Sequence, residues 1–277
     1  MTSAQETQQF LATGEYDMAY KAWQGHNTFE RIQAGEAALR AALADALRQR
    51  TKVIKFPSMP PDFDAGQFVL GKVRPMVCGL FPERERQALL DLFENSLVFV
   101  THDNIDSLIQ DTDRLSTAHQ IANLFLGSLG LPGLDDQPVE FVGFSEETTF
   151  YVSMAYFKDS DPFADWVIHE AAHVFHNWKR ASVGLPHTQS REFLLNIAFA
   201  KREVFAYACE AYSRILERAK DPTDRRRLYA EYVKNGVHAD VRISRDELVD
   251  VVASAVAARN GWNRILANCS PPGMIGR

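Results

Sequence analysis

One apolar stretch of this chain carries three polar side chains that only a few structures can accommodate. His169, Glu170 and His173 lie among large apolar residues, namely Trp166, Val167, Ile168, Val174, Phe175 and Trp178. On a helix, a spacing of four residues puts both imidazoles on one face, about one turn apart. Because buried imidazole and carboxylate groups need partners that offset their desolvation, the pattern favours a buried helix that holds a metal ion.

The spacing also predicts which ion is bound and what Glu170 does. Two neutral imidazoles one turn apart can bind a single ion, most often zinc. Glu170 points about 100° away from His169, within reach of a water molecule at the metal, which is the general-base position of metalloproteases. The alternative is a chance match, in which both histidines lie on a polar stripe and Glu170 faces solvent.

Residues 162–183 are predicted to form this helix. Asp161 is a suitable N-cap, and Pro162 suits the first helical position, where a missing N–H costs nothing. At the other end Gly184 can adopt the left-handed conformation, and Pro186 prevents continuation.

A catalytic zinc site normally takes three protein ligands, so one more is required. His176 shares the face of His173 but lies about 10 Å along the helix axis from His169, too far for one ion. A second helix is predicted over residues 191–220, which lack Gly and Pro. The candidates for the third ligand are Glu203, Glu192, Glu210 and His187.

The run from Glu203 to Tyr212 resembles the Glu-x-Phe-Ala-x-x-x-Glu-x-aromatic helix of gluzincin peptidases, the group similar to anthrax lethal factor and Mlc titration factor A. The resemblance covers roughly residues 148–215. It implies a zincin-like core, a zinc-dependent peptidase site and Glu203 as the third ligand. Two positions depart from the family pattern: His176 stands where an acidic residue is usual, and Asn196 stands where a transition-state tyrosine is expected.

The remaining polar residues receive supporting roles. Glu210 is predicted to accept a hydrogen bond from a ligand histidine, and Asp165, one turn before His169, is a second candidate for that role. The donor that stabilises the oxyanion is unassigned by the resemblance. Its candidates are Tyr207, which we include in the catalytic set, Tyr212, His187 and His238.

Composition narrows the class of protein. The 277 residues are 46% hydrophobic, enough for a substantial core, and Cys78, Cys209 and Cys269 lie too far apart in sequence to suggest a disulfide scaffold. A net charge of -6 argues against nucleic-acid binding. Neither a secretory signal nor a stretch of about 18 apolar residues occurs, so we expect a cytoplasmic protein without a membrane segment, with delivery as an effector as the alternative.

The order of predicted elements indicates an α+β fold, mainly helical with a small mixed sheet. Residues 1–65 are predicted to form an N-terminal helical region and residues 66–277 a zincin-like peptidase domain, because the connection at 56–66 contains three prolines. Strands are expected at 96–101, 139–144 and 148–157. Residues 152–156 are expected to be an edge strand that pairs with substrate, as in the zincins that this arrangement resembles. The alternative is an interior strand without substrate contact.

The sequence therefore predicts a zinc metallopeptidase in which His169, His173 and Glu203 hold Zn²⁺ and Glu170 is the general base. The predicted partner is a peptide or protein substrate, with neither nucleic acid nor a membrane. Two alternatives remain: a non-catalytic, zinc-scaffolded binding protein, and a zinc-dependent hydrolase of non-peptide amides.

Overall fold

The structure is a computed structural model that describes residues 1–54, 56, 58–186, 191–235 and 243–271. Helices dominate the described residues, and a small mixed sheet accompanies them, so the α+β prediction is confirmed. The helices are α1 (Ser3–Thr13), α2 (Thr28–Thr51), α3 (Ala65–Leu80), α4 (Glu83–Glu94), α5 (Ile105–Asp111), α6 (Leu115–Ser128), α7 (Trp166–Asn177), α8 (Arg202–Arg218), α9 (Pro222–Asn235), α10 (Arg245–Ala257) and α11 (Gly261–Cys269). The strands are β1 (Leu97–Val100), β2 (Gly143–Glu146) and β3 (Thr149–Ser153).

The sheet has the order β1-β3-β2, which makes β3 its central strand. The prediction of an edge strand at 152–156 is therefore wrong. Strand β3 ends at Ser153, and Met154–Lys158 forms a short 3-10 helix. Within the described residues β2 is an edge strand, and it packs against α7. The turn between β2 and β3 is short, with Glu147 in the left-handed region at φ 53°.

The residues form two compact units. The first comprises Met1–Phe63, Phe99–Val142 and Tyr151–Lys158. Its helices bury apolar side chains that include Phe10, Leu39, Leu43, Ile109 and Ile121. Arg40 is buried on α2 and donates to the Thr112 carbonyl at 2.6 Å, beyond the last residue of α5. Its positive charge there complements the carbonyl end of that helix.

The second unit comprises Asp64–Val98, Gly143–Phe150 and Asp159–Arg277, and it contains α7 and α8. The ring of Phe175 on α7 packs against Phe81 and Phe93, with ring centroids 5.1 and 5.4 Å apart. The first change of unit, after Phe63, falls beside the boundary predicted near residue 65. The chain later returns to the first unit twice, and the predicted division into two domains stays a prediction.

Helix α7 is shorter than the predicted 162–183. Asp165 is its N-cap and accepts a hydrogen bond from the Ile168 N–H at 3.4 Å, whereas Asp161 stabilises a preceding turn by accepting from the Phe163 N–H. The helix ends because the backbone of Trp178 is extended. Gly184 does adopt the predicted left-handed conformation, at φ 73°, but it closes a separate 3-10 helix at Arg180–Val183.

The second predicted helix, 191–220, is also shorter. Helix α8 begins at Arg202 after a 3-10 turn at Phe199–Lys201. The preceding segment pairs its backbone with the end of α7: the Leu194 N–H donates to the Trp178 carbonyl, and the Leu195 N–H to that of Phe175. Glu192 therefore does not share a helix with Glu203. Among the described residues, every helix is too short or too polar to cross a bilayer.

Candidate metal centre

Helices α7 and α8 bring three potential ligand atoms together. His169 Nε2 and His173 Nε2 are 3.1 Å apart, and Glu203 Oε2 lies 3.8 Å from the first and 3.7 Å from the second. In the plane of these three atoms, the point equidistant from all of them is about 2.1 Å from each. This is close to the zinc–nitrogen and zinc–oxygen distances of about 2.0–2.2 Å. These three residues could hold a metal ion. His169 is 4% exposed and Glu203 is 36% exposed, so the site opens on the side of the carboxylate.

The antiparallel packing of α7 and α8 explains this convergence. Near the start of α8, Arg202 donates to Asn177 at the end of α7. Two turns further along α8, Glu210 reaches the first residues of α7: its Oε1 accepts from the Asp165 N–H at 2.7 Å. Glu203 lies between these contacts and therefore faces the middle of α7, where the two histidines stand.

Glu210 also holds the ring of His169. Its Oε2 lies 3.1 Å from His169 Nδ1, so Nδ1–H donates to the carboxylate and Nε2 is directed at the site. The predicted hydrogen bond between Glu210 and a histidine of the motif is confirmed. Burial by itself lowers the pKa of His169, but the hydrogen bond and charge of Glu210, together with Glu170 and Glu203, outweigh it and raise that pKa.

His173 has a different partner. Its Nδ1 lies 3.2 Å from Nε2 of His176, which is buried at 2% exposure. Burial lowers the pKa of His173 to about 2, with further lowering by His169, His176 and Arg202. Burial and the charge of Arg202 also lower the pKa of His176, to about 3. Both rings are therefore neutral near pH 7, which is the form that binds a metal.

Glu170 is buried beside the three potential ligands. The residue is 5% exposed, and desolvation raises the pKa of its carboxyl, helped by the negative charges of Glu203 and Glu210. Charge interaction with His169 and a hydrogen bond with Ser145 on β2 act in the opposite direction. A carboxylate in such an environment is a stronger proton acceptor than one in water.

The described oxyanion candidates occupy different surroundings. The ring of Tyr207 packs edge-on against His169, with centroids 4.5 Å apart. Tyr212 is buried against the start of α11, where its hydroxyl contacts Gly261 and Arg225. His187 and His238 lie outside the described residues.

Two further acidic residues have roles other than those considered for them. The Glu192 carboxylate pairs with Lys179 at 2.7 Å and is 60% exposed, and it is not part of the group formed by His169, His173 and Glu203. Asp165 caps α7 and forms a buried ion pair with Lys72 at 2.8 Å. Lys72 also pairs with Glu217 on α8, so the pair connects three helices.

Sequence reasoning missed the contacts of His176 and Ser145. The spacing of His176 from His173 places both residues on one face of the helix, but spacing alone does not indicate that their rings contact each other. The contact between Ser145 and Glu170 depends on the packing of β2 against α7, which no local pattern encodes.

Comparisons of the chain with protein families, with curated proteins and with solved structures find no match. The function is therefore inferred from the geometry of the site and from the sequence motif.

Proposed function

We propose that this chain is a zinc-dependent metallopeptidase with His169, His173 and Glu203 as the metal ligands. One observation carries the proposal: two imidazole nitrogens and a carboxylate oxygen converge within 4.8 Å of one another, next to a buried glutamate. Two nitrogen ligands and one oxygen ligand form a typical set for catalytic zinc, with a fourth position left for water or substrate. Magnesium and calcium prefer sites made of oxygen ligands alone.

Bound zinc would supply Lewis acidity, which lowers the pKa of water towards about 7 and polarises a substrate carbonyl. Glu170 accepts the proton as water attacks the carbonyl carbon, and it then donates that proton to the leaving amine nitrogen. Burial favours this proton transfer because it raises the pKa of the Glu170 carboxyl and so brings it closer to the pKa of the water molecule. Glu203, which is more exposed, acts only as a ligand.

The negative charge that develops on the carbonyl oxygen requires a donor. Tyr207 is our candidate, because its ring contacts His169 and it lies one helical turn after Glu203. A phenol at this place can donate a hydrogen bond to the oxyanion without carrying a charge itself. Peptides are the proposed substrate class on the basis of the gluzincin resemblance.

The decisive experiment compares the full-length protein with its Glu170→Gln variant after both have been loaded with zinc. Glutamine preserves the size of the side chain but cannot accept the proton. We expect unchanged zinc content and a loss of peptide hydrolysis of at least about a hundredfold. A peptide library, with products detected by mass spectrometry, provides the substrates.

This experiment also separates the two alternatives. A zinc-scaffolded binding protein would cleave nothing in a zinc-dependent way, whether Glu170 is present or not. A hydrolase of other amides would leave the peptides intact but cleave small acyl-amide substrates in a manner that requires Glu170. Absence of zinc from the wild-type protein after loading would reject all three functions.

A further inference from the structure

The two histidines of the site differ in what holds them. His169 donates from Nδ1 to a carboxylate, Glu210, whereas His173 has the neutral ring of His176 at the corresponding distance. Partners of this kind fix the orientation and tautomer of a ligand histidine, and their loss typically weakens metal binding about 10–100-fold. His176 is almost fully buried and stands three residues after His173, so helix geometry itself brings the two rings together.

The arrangement of hydrogen atoms follows from the geometry. If His173 binds a metal through Nε2, its proton must be on Nδ1, and His176 Nε2 must accept it. The proton of the neutral His176 ring is then on its own Nδ1. That nitrogen is buried and has no hydrogen-bond partner among the described residues. An unpaired buried N–H costs about 1–3 kcal/mol. If the side chain at position 176 served packing alone, an apolar residue would therefore be more stable there than histidine.

We infer that His176 is the positioning residue for His173: it accepts the Nδ1–H of that ligand and thereby keeps Nε2 free for the metal. The inference rests on the metal site of the proposed function. It assigns to a neutral imidazole the role that Glu210 has for His169. Binding of the metal also requires one particular tautomer of His176, with the proton on Nδ1.

Three variants of the full-length protein test the inference. His176→Leu removes the acceptor and keeps an apolar volume. His176→Gln can extend a carbonyl oxygen to about the place of Nε2, whereas His176→Asn carries the same amide on a shorter side chain. Zinc affinity is measured by competition with a chromophoric chelator, and thermal unfolding of the metal-free proteins checks that each variant folds.

We expect zinc affinity to fall about 10–100-fold in the Leu and Asn variants and to stay within about threefold of wild type in the Gln variant. Equal affinity of wild type and a folded Leu variant would overturn the inference. Equal losses in the Gln and Leu variants would do so as well, because an acceptor at that place would then have no effect.

Nuclear magnetic resonance of the zinc-loaded protein gives a readout that a purely structural role would not produce. Long-range ¹⁵N–¹H correlations of the histidine rings should show the His176 proton on Nδ1 and the His173 proton also on Nδ1. A proton on Nε2 of His176 in the loaded protein would refute the inference while leaving the metal site intact. Zinc binding that is unaffected by His169→Ala would instead overturn the site and this inference together.

Discussion

Glu203 and Glu192 are both candidates for the third ligand on sequence grounds, but their surroundings in the structure are different. Glu203 faces both His169 and His173, whereas the Glu192 carboxylate is exposed and pairs with Lys179. We therefore predict that Glu203→Ala lowers zinc affinity about a hundredfold or more, because a three-ligand site becomes a two-ligand site. Inductively coupled plasma mass spectrometry after dialysis measures the zinc that each protein retains.

Glu192→Ala is the matched control, because it removes an acid of the same kind at an exposed position. We expect it to retain stoichiometric zinc and to change the free energy of unfolding by less than about 0.5 kcal/mol. If Glu192→Ala lost the metal while Glu203→Ala kept it, the assignment of the ligand would have to be reversed.

Glu210 would affect a bound metal indirectly, through the ring of His169. Glu210→Gln retains an acceptor for the Asp165 N–H but removes the negative charge that would make His169 a better donor to a metal. We predict a loss of zinc affinity of about tenfold or more, measured by chelator competition. Glu231→Gln serves as the control, since that partly exposed residue on α9 pairs with Arg218. An affinity unchanged by Glu210→Gln would contradict the proposed coupling between this carboxylate and the metal.

At the scale of elements, the helix that carries the motif was predictable but its ends were not. The apolar residues around His169 correctly predicted a buried helix, and the spacing of the histidines correctly predicted that their nitrogens would meet. Asp161 and Pro162 form an acceptable start signal, yet Asp165 caps the helix. Asp165 is the N-cap rather than Asp161 because it also pairs with Lys72 on α3, a residue that is distant in sequence. Local capping rules cannot include that contribution.

The start of α8 shows the same limit. Residues 191–198 contain no Gly or Pro and suit a helix, but their backbone groups pair with the end of α7 instead. Tertiary hydrogen bonds here outweigh helix propensity, which amounts to less than about 1 kcal/mol per residue. Of the three glutamates predicted on this helix, Glu203 and Glu210 do lie within α8, and Glu192 does not.

The cap of α7 provides a test at this scale. Asp165→Ala removes the N-cap and leaves the half-buried Lys72 with only Glu217 as its described partner, so we predict a loss of about 2–4 kcal/mol in the free energy of unfolding. Urea denaturation of the metal-free protein measures it. Asp161→Ala, which affects only a preceding turn, should cost less than about 1 kcal/mol. A larger loss for Asp161→Ala than for Asp165→Ala would restore the sequence-based assignment of the cap.

At the scale of the whole molecule, the order of predicted elements was enough to predict the fold class. It was not enough to predict how the chain passes back and forth between the two units. A strand was predicted at residues 148–157, and the alternation of side chains that marks a strand is the same for a central and an edge strand. The central position of β3 depends on pairing with β1, which comes from a distant part of the sequence. The exchange of segments between the two units likewise depends on contacts far apart in sequence.

His119 lies far in sequence from His169, His173 and Glu203, and it gives the first unit its own sensitivity to acid. Burial lowers its pKa below 6.5, against the opposing effects of its hydrogen bond to the Leu11 carbonyl and of the charge of Asp135. The folded state thus binds its proton less readily than the unfolded state does. Its contribution to stability is fully present above the unfolded pKa of about 6.5 and is lost as the pH falls below that value.

We therefore predict that His119→Gln reduces the loss of stability on acidification. Between pH 7.5 and 5 the free energy of unfolding of the wild type should fall as the pH falls. His119 should contribute at most about 1.4 kcal/mol per pH unit to this fall, and the variant should lack that contribution. His173 and His176 also have lowered pKa values, so zinc-free wild type and variant are compared and only their difference is interpreted. His26→Gln, at an exposed position, serves as the control for the substitution itself. If His119→Gln left the slope unchanged, the pKa of His119 would have to be the same in the folded and unfolded states, in contradiction to its burial on α6.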